Sequence, residues 1–148
     1  WLIKNPELSK NFDNSLLTIV SEEVLSSTIS TKSPDGIAAL VKTSSIQKYQ
    51  LGANDDFVLV LDRIQDPGNM GNLFRTALAA GVNKVLLAGG ANPLGQKVLR
   101  ASCGAVFHLP FQRFEGGEQE LLDSQSLITF GVALIVHSLF EGLAIGVF

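Results

Sequence analysis

Asn69 and Arg75 are polar side chains of types that could handle a bound substrate. They lie in Leu61-Asp62-Arg63-Ile64-Gln65-Asp66-Pro67-Gly68-Asn69-Met70-Gly71-Asn72-Leu73-Phe74-Arg75-Thr76-Ala77. This stretch reads as a strand end, a tight loop and a helix start, the place where α/β folds gather ligand-binding groups. Pro67 and Gly68 set the turn. Asn69 can cap the helix while showing its amide to a ligand, and Gly71 permits close approach of another backbone or a substrate. Arg75 falls one to two turns into the helix. Its guanidinium stays protonated, so holding an anion suits it better than abstracting a proton. The competing reading is an N-cap asparagine followed by a solvated helical arginine, and residue types alone leave both open.

The elements around this stretch imply a mostly parallel sheet in a Rossmann-like α/β domain, because strands alternate with short helices. Phe57 to Leu61 is a continuous apolar run of strand length, as a strand covered on both faces requires. Met70 to Ala80 reads as a helix with Leu73, Ala77 and Ala80 on one face and Gly81 as its terminator. Val85 to Leu87 is the next strand, Pro93 to Cys103 contains a short helix, and Ala105 to Leu109 reads as another strand stopped by Pro110. Gly117 and Glu118 open an expected helix to Phe130, followed by a strand over Val132 to Val136. Upstream, Leu16 to Val20 and Gly36 to Val41 have strand character, and Ser21 before Glu22 and Glu23 looks like a helix start. The polar segment Leu51 to Asp56 marks the expected boundary between residues 1–50 and the rest of the chain.

The 148 residues allow one domain plus a partial neighbour. The start at Trp1 and the apolar finish Ala144-Ile145-Gly146-Val147-Phe148 read as cuts in a longer protein. Lys4, Glu7, Lys10 and Asp13 interrupt each apolar stretch near Trp1, so no signal peptide is read there. A single cysteine, Cys103, excludes an internal disulfide and fits a reducing compartment. It reads as a small buried hydrophobe, because no second cysteine or paired histidine suggests a metal or a nucleophile. The net charge of −3 hides an asymmetry. Phe57 to Phe114 carries Arg63, Arg75, Lys84, Lys97, Arg100 and Arg113 against Asp62 and Asp66, a net +4, while the flanks hold the other 5 basic and 12 acidic residues. A basic centre of this size suits a polyanion or an ordinary charged surface equally.

The Asp66-Pro67-Gly68-Asn69-Met70-Gly71 turn with Arg75-Thr76-Ala77 resembles the first signature motif of the SpoU (TrmH-like) family of knotted methyltransferases. Lys97-Val98-Leu99-Arg100-Ala101-Ser102-Cys103-Gly104-Ala105 and Phe107-His108-Leu109-Pro110 resemble the family's next segment. Ile19 to Leu25 and Ser33 to Ala39 look like the end of the small RNA-binding domain that precedes catalysis. The resemblance implies a trefoil-knot (SPOUT) domain, here incomplete, over residues 51–138, with residues 139–148 an unassigned apolar tail. It implies transfer of a methyl group from S-adenosylmethionine to a ribose 2′-hydroxyl of structured rRNA or tRNA by a homodimer, in the cytoplasm or an organellar matrix or stroma. Asn69 and Arg75 would be the catalytic pair. Arg75 would stabilise the developing oxyanion or clamp the neighbouring phosphate in a cleft at the strand ends, and Asn69 would orient the ribose. Arg63, Lys97, Arg100 and Ser102 are the candidate RNA contacts, while His108 reads as a packing or structural residue at a strand end.

Two later family segments build the donor pocket, a G-x-E-x-x-G turn and an I-P-M stretch followed by S-L-N-V-S. Neither is found in residues 1–148, where Phe140-Glu141-Gly142-Leu143 lacks the leading glycine. The cofactor-binding residues are therefore unknown, and this stretch is expected to be inactive by itself. One rival is a non-catalytic RNA-binding remnant. Another comes from Ile128 to Phe148, which contains no Lys, Arg or Asp and is long enough to span a bilayer as a helix. His137 to Gly146 is similar to a metal-binding transmembrane helix of ZIP zinc transporters, with His137 and Glu141 one turn apart, which would make the chain a chimera. A nucleotide-binding α/β domain is disfavoured because Gly68-Asn69-Met70-Gly71 lacks the G-x-G-x-x-G spacing a pyrophosphate needs.

Overall fold

The computed structural model of the chain describes residues 10, 12–29, 31, 35–42, 46, 57–114, 116, 132–139 and 142–147. The chain divides into two compact units, residues 1–42 and 43–148, a boundary earlier than the one read at residue 50. The expected segment Leu51 to Asp56 and the expected helix from Glu118 to Phe130 lie outside the described residues.

In the first unit, helix α1 (Glu22–Thr28) starts where the sequence places it. Ser21 Oγ accepts a hydrogen bond from the Val24 amide at 3.4 Å, and Glu22 and Glu23 occupy the electropositive first turn. The two strands expected beside it are absent: Asn14–Leu16 forms a 3₁₀ turn capped by Asp13, and residues 17–20 and 36–41 pair with no strand. Strand propensity is satisfied only through a ladder partner, and here Leu16, Ile19 and Leu40 stay exposed.

The second unit is built on a five-stranded sheet of order β3-β2-β1-β4-β5. Its strands are β1 (Phe57–Asp62), β2 (Lys84–Ala88), β3 (Phe111–Phe114), β4 (Val132–Leu139) and β5 (Gly142–Val147), with helices α2 (Pro67–Ala79), α3 (Gln96–Ala101) and α4 (Ala105–His108) between them. The first four strands are mutually parallel and β5 runs antiparallel to β4. β1 is an inner strand, as its unbroken apolar run predicts, and Val58 to Leu61 are buried on both faces. Leu59, Leu61, Val85 and Leu87 pack under Met70, Phe74, Ala77, Val98, Val106 and Leu109. Val58, Val60, Leu86, Ala88 and Phe114 form a second cluster on the opposite face.

Three expectations need correction. Helix α2 begins at Pro67 and its N-cap is Asp66 rather than Asn69, because proline at the first helical position carries no amide to leave unsatisfied. Its buried face is Met70, Gly71, Phe74 and Ala77, so Leu73 is only partly buried and Ala80 is exposed. Residues 105–108 form a helix, not a strand. Gly104, at φ 85°, redirects the chain, and Ala105, Val106 and Leu109 then face the core at helical spacing, leaving Phe107 and His108 exposed. The strand lies beyond Pro110, a case where a short apolar run does not distinguish the two periods.

The tail forms strands. β4 pairs with β1 in register Phe57↔Val132 to Asp62↔His137, and the unassigned residues after it supply β5. His137 therefore sits in a strand, and Glu141 lies outside the described residues. Among the described residues no helix is long and apolar enough to cross a membrane.

Candidate functional site

β1 has β2 on one side and β4 on the other, and the candidate residues follow its carboxyl end, where α/β folds place ligand-binding groups. Asp62 ends β1 at that edge, in register with His137, and the chain then enters the Asp66 to Asn69 turn.

Asp66 organises this turn. Its Oδ1 accepts the Asn69 amide at 2.8 Å, and Lys97 Nζ on α3 stands 3.6 Å from Oδ2. The Asn69 amide holds the Asp66 carboxyl below the usual carboxylate range; desolvation opposes this, and Lys97 and the Gly68 amide reinforce it. A Cβ at Gly68 would stand 2.9 Å from Asp66 Oδ1, so glycine leaves room for the cap. The Asn69 side chain is thereby released from capping and sits exposed in the first helical turn.

α3 runs alongside α2, with Lys97 beside Asp66, Val98 to Ser102 beside Gly71, and Cys103 beside Arg75. Gly71 makes this possible. A Cβ there would come within 2.5 Å of Ala101 Cβ and 2.8 Å of both Ser102 N and Val98 O. Arg75 is exposed, and its Nη1 approaches Cys103 Sγ at 3.9 Å in the turn between α3 and α4. Cys103 is likewise exposed, at φ 50°, and so is not the buried hydrophobe expected. Asn69 and Arg75 share no hydrogen bond. Six residues apart on one helix, they stand about 9 Å apart along its axis.

The candidate RNA contacts separate into two kinds. Arg63, Lys97 and Arg100 are exposed. Arg63 also folds back on the buried Asp62, with Nε 3.1 Å from both carboxylate oxygens and Nη2 2.9 Å from Oδ2. Ser102 is fully buried, and its hydroxyl donates to Leu99 O at 2.9 Å, so it caps the end of α3 from within instead of meeting a ligand. His108 is exposed at the end of α4.

Two residues escaped sequence reasoning. Asp66 is the organising cap, and the Asp-x-x-Asn spacing before a helix was its available signal. Arg113 on β3 donates from Nη1 to Ala91 O at 2.9 Å and from Nη2 to Gly90 O at 3.0 Å, which only the sheet order reveals.

The mostly parallel α/β sheet agrees with the fold that the resemblance implies, that of a class of RNA methyltransferases, and comparison with known proteins supplies the family. The profile of the SpoU rRNA Methylase family matches residues 56–138, more than half of the chain, and the chain belongs to that family. It is 37% identical over 123 residues to an uncharacterized tRNA/rRNA methyltransferase of Synechocystis, covering 78% of this chain and 43% of that protein. It is 38% identical over 96 residues to the 23S rRNA (guanosine(2553)-2′-O)-methyltransferase RlmP of Bacillus subtilis, covering 64% of this chain and 37% of that protein. The fold is similar to the crystal structure of an AdoMet-bound rRNA methyltransferase from Sinorhizobium meliloti, with TM-score 0.53 and 29% identity over 71% of this chain and 40% of that one. The chain thus spans less than half the length of these relatives.

The donor-pocket segments expected from the resemblance have no counterpart in residues 1–148. After β4 the chain turns back as β5, with only residues 140 and 141 between the two strands.

Proposed function

We propose that the protein to which this chain belongs transfers a methyl group from S-adenosylmethionine to a ribose 2′-hydroxyl of structured rRNA or tRNA, and that this chain carries the acceptor side of the site. The observation that carries the reading is the exposed Arg75 on the first helix after the inner strand, behind a turn whose cap is supplied by Asp66 so that Asn69 stays available. Arg75 stabilises the 2′-oxygen as it loses its proton or holds the adjacent phosphate, and Asn69 orients the ribose. Arg63, Lys97 and Arg100 contact the backbone of the RNA. Residues 1–50 end a small RNA-binding domain and residues 51–138 begin the catalytic one. The complete enzyme is a homodimer working in the cytoplasm or an organellar matrix or stroma.

Transfer of tritiated methyl from S-adenosylmethionine to rRNA and tRNA by the enzyme containing this chain tests the reading. Arg75→Ala is expected to lower turnover at least about 100-fold with an unchanged circular dichroism spectrum. Near-normal turnover by that variant would refute the role of Arg75. RNA binding by the wild type without any transfer would support the non-catalytic alternative.

A further inference from the structure

We infer that Arg113 is a positioning residue for the helix that carries Asn69 and Arg75, acting through two loops that it never joins covalently; the inference rests on the function proposed above. Its guanidinium reaches from β3 across the carboxyl edge of the sheet and donates to both Gly90 O and Ala91 O in the loop that leaves β2. Two donors on two successive carbonyls fix the direction of that loop as well as its distance, a task suited to the planar guanidinium and not to a lysine ammonium. The loop is also tied at its start, where the Gly89 amide donates to Phe114 O at 3.1 Å.

From there the coupling passes to the turn after β1. The Ala91 amide donates to Ile64 O at 2.9 Å, and Gly90 lies so close to Ile64 that an added Cβ would stand 2.7 Å from its carbonyl oxygen and 2.9 Å from its nitrogen. Ile64 is buried and stands two residues before Asp66, the cap of α2. The same β2 loop leads into α3, whose Lys97 faces Asp66. Arg113 therefore fixes one loop that meets the capping turn from two sides, through Ile64 and through Lys97. Loosening it would let the start of α2, with Asn69, shift without opening the sheet.

The test measures hydrogen exchange, so it does not depend on catalysis. In Arg113→Gln, the amides of Ala91, Asn69 and Met70 are expected to exchange about tenfold faster, while the ladder amides of Leu59 to Leu61 keep their protection. Arg113→Lys should restore this only in part. Gly90→Ala, which keeps the Arg113 side chain but crowds Ile64 and so forces the same two loops apart, should reproduce the pattern, and it keeps the inference testable if the glutamine variant folds poorly. Unchanged exchange at Ala91 and Asn69, or acceleration spread evenly over β1 and β2, would overturn the inference. In the active enzyme, Arg113→Gln should lower kcat about tenfold with KM for RNA unchanged. A wild type that transfers no methyl group would refute the functional reading instead, leaving the exchange pattern to decide the coupling.

Discussion

Helices α1 and α2 start in the same way and end in different circumstances. Each has an oxygen-bearing cap that receives an amide three residues on, Ser21 from Val24 and Asp66 from Asn69. α1 buries none of its residues, whereas α2 buries Met70, Gly71, Phe74 and Ala77 against a parallel sheet and a second helix. A cap decides where a helix begins, but packing decides whether its exposed face can be aimed. Only α2 has both, and only α2 carries candidate chemistry.

Truncating the buried face should separate the two helices most sharply. Phe74 is fully buried and meets Phe111 edge to face at 5.9 Å, so Phe74→Ala should cost about 4 kcal/mol in urea unfolding. Val24→Ala in the half-exposed face of α1 should change stability by less than about 0.5 kcal/mol. Equal effects would mean that α1 packs as α2 does. A smaller loss, about 3 kcal/mol, is expected for Gly71→Val, which pushes α3 off α2 and should lower methyl transfer beyond its effect on folding. Wild-type stability from Gly71→Val would show that the close approach of the two helices is dispensable.

The smallest effect concerns the cap itself and is read by pH. The folded-state pKa of Asp66 lies below its unfolded value, so its contribution is present above about pH 4 and is lost as pH falls through the lower folded value. Asp66→Asn should flatten the decline in stability below pH 4 relative to wild type. An identical acid profile would show that the carboxylate adds nothing that the amide lacks.

The inner strand, the helix behind the Pro-Gly-Asn turn and the parallel order were legible because each rests on a local signal: an unbroken apolar run, a fixed-φ proline and a terminating glycine at φ 78°. The run from Ala105 to Leu109 was misread because five apolar-rich residues suit either period, and the choice fell to Gly104, whose left-handed backbone is a tertiary outcome. Asn69 and Arg75 were singled out by the family resemblance, and the structure leaves both exposed. The burial of Ser102 and the reach of Arg113 depend on which elements become neighbours, and no spacing along the chain encodes that.

Arg63 sets a constraint on any effort to raise heat resistance. Its backbone at φ 50° costs a side-chain-bearing residue about 1 kcal/mol, which makes glycine the obvious stabilising replacement. Glycine would also strip the buried Asp62 carboxylate of its neighbouring guanidinium at the carboxyl end of β1. Ease of the main chain and neutralisation of the interior charge pull in opposite directions at one position, so a thermostable variant is better sought at sites away from this edge of the sheet.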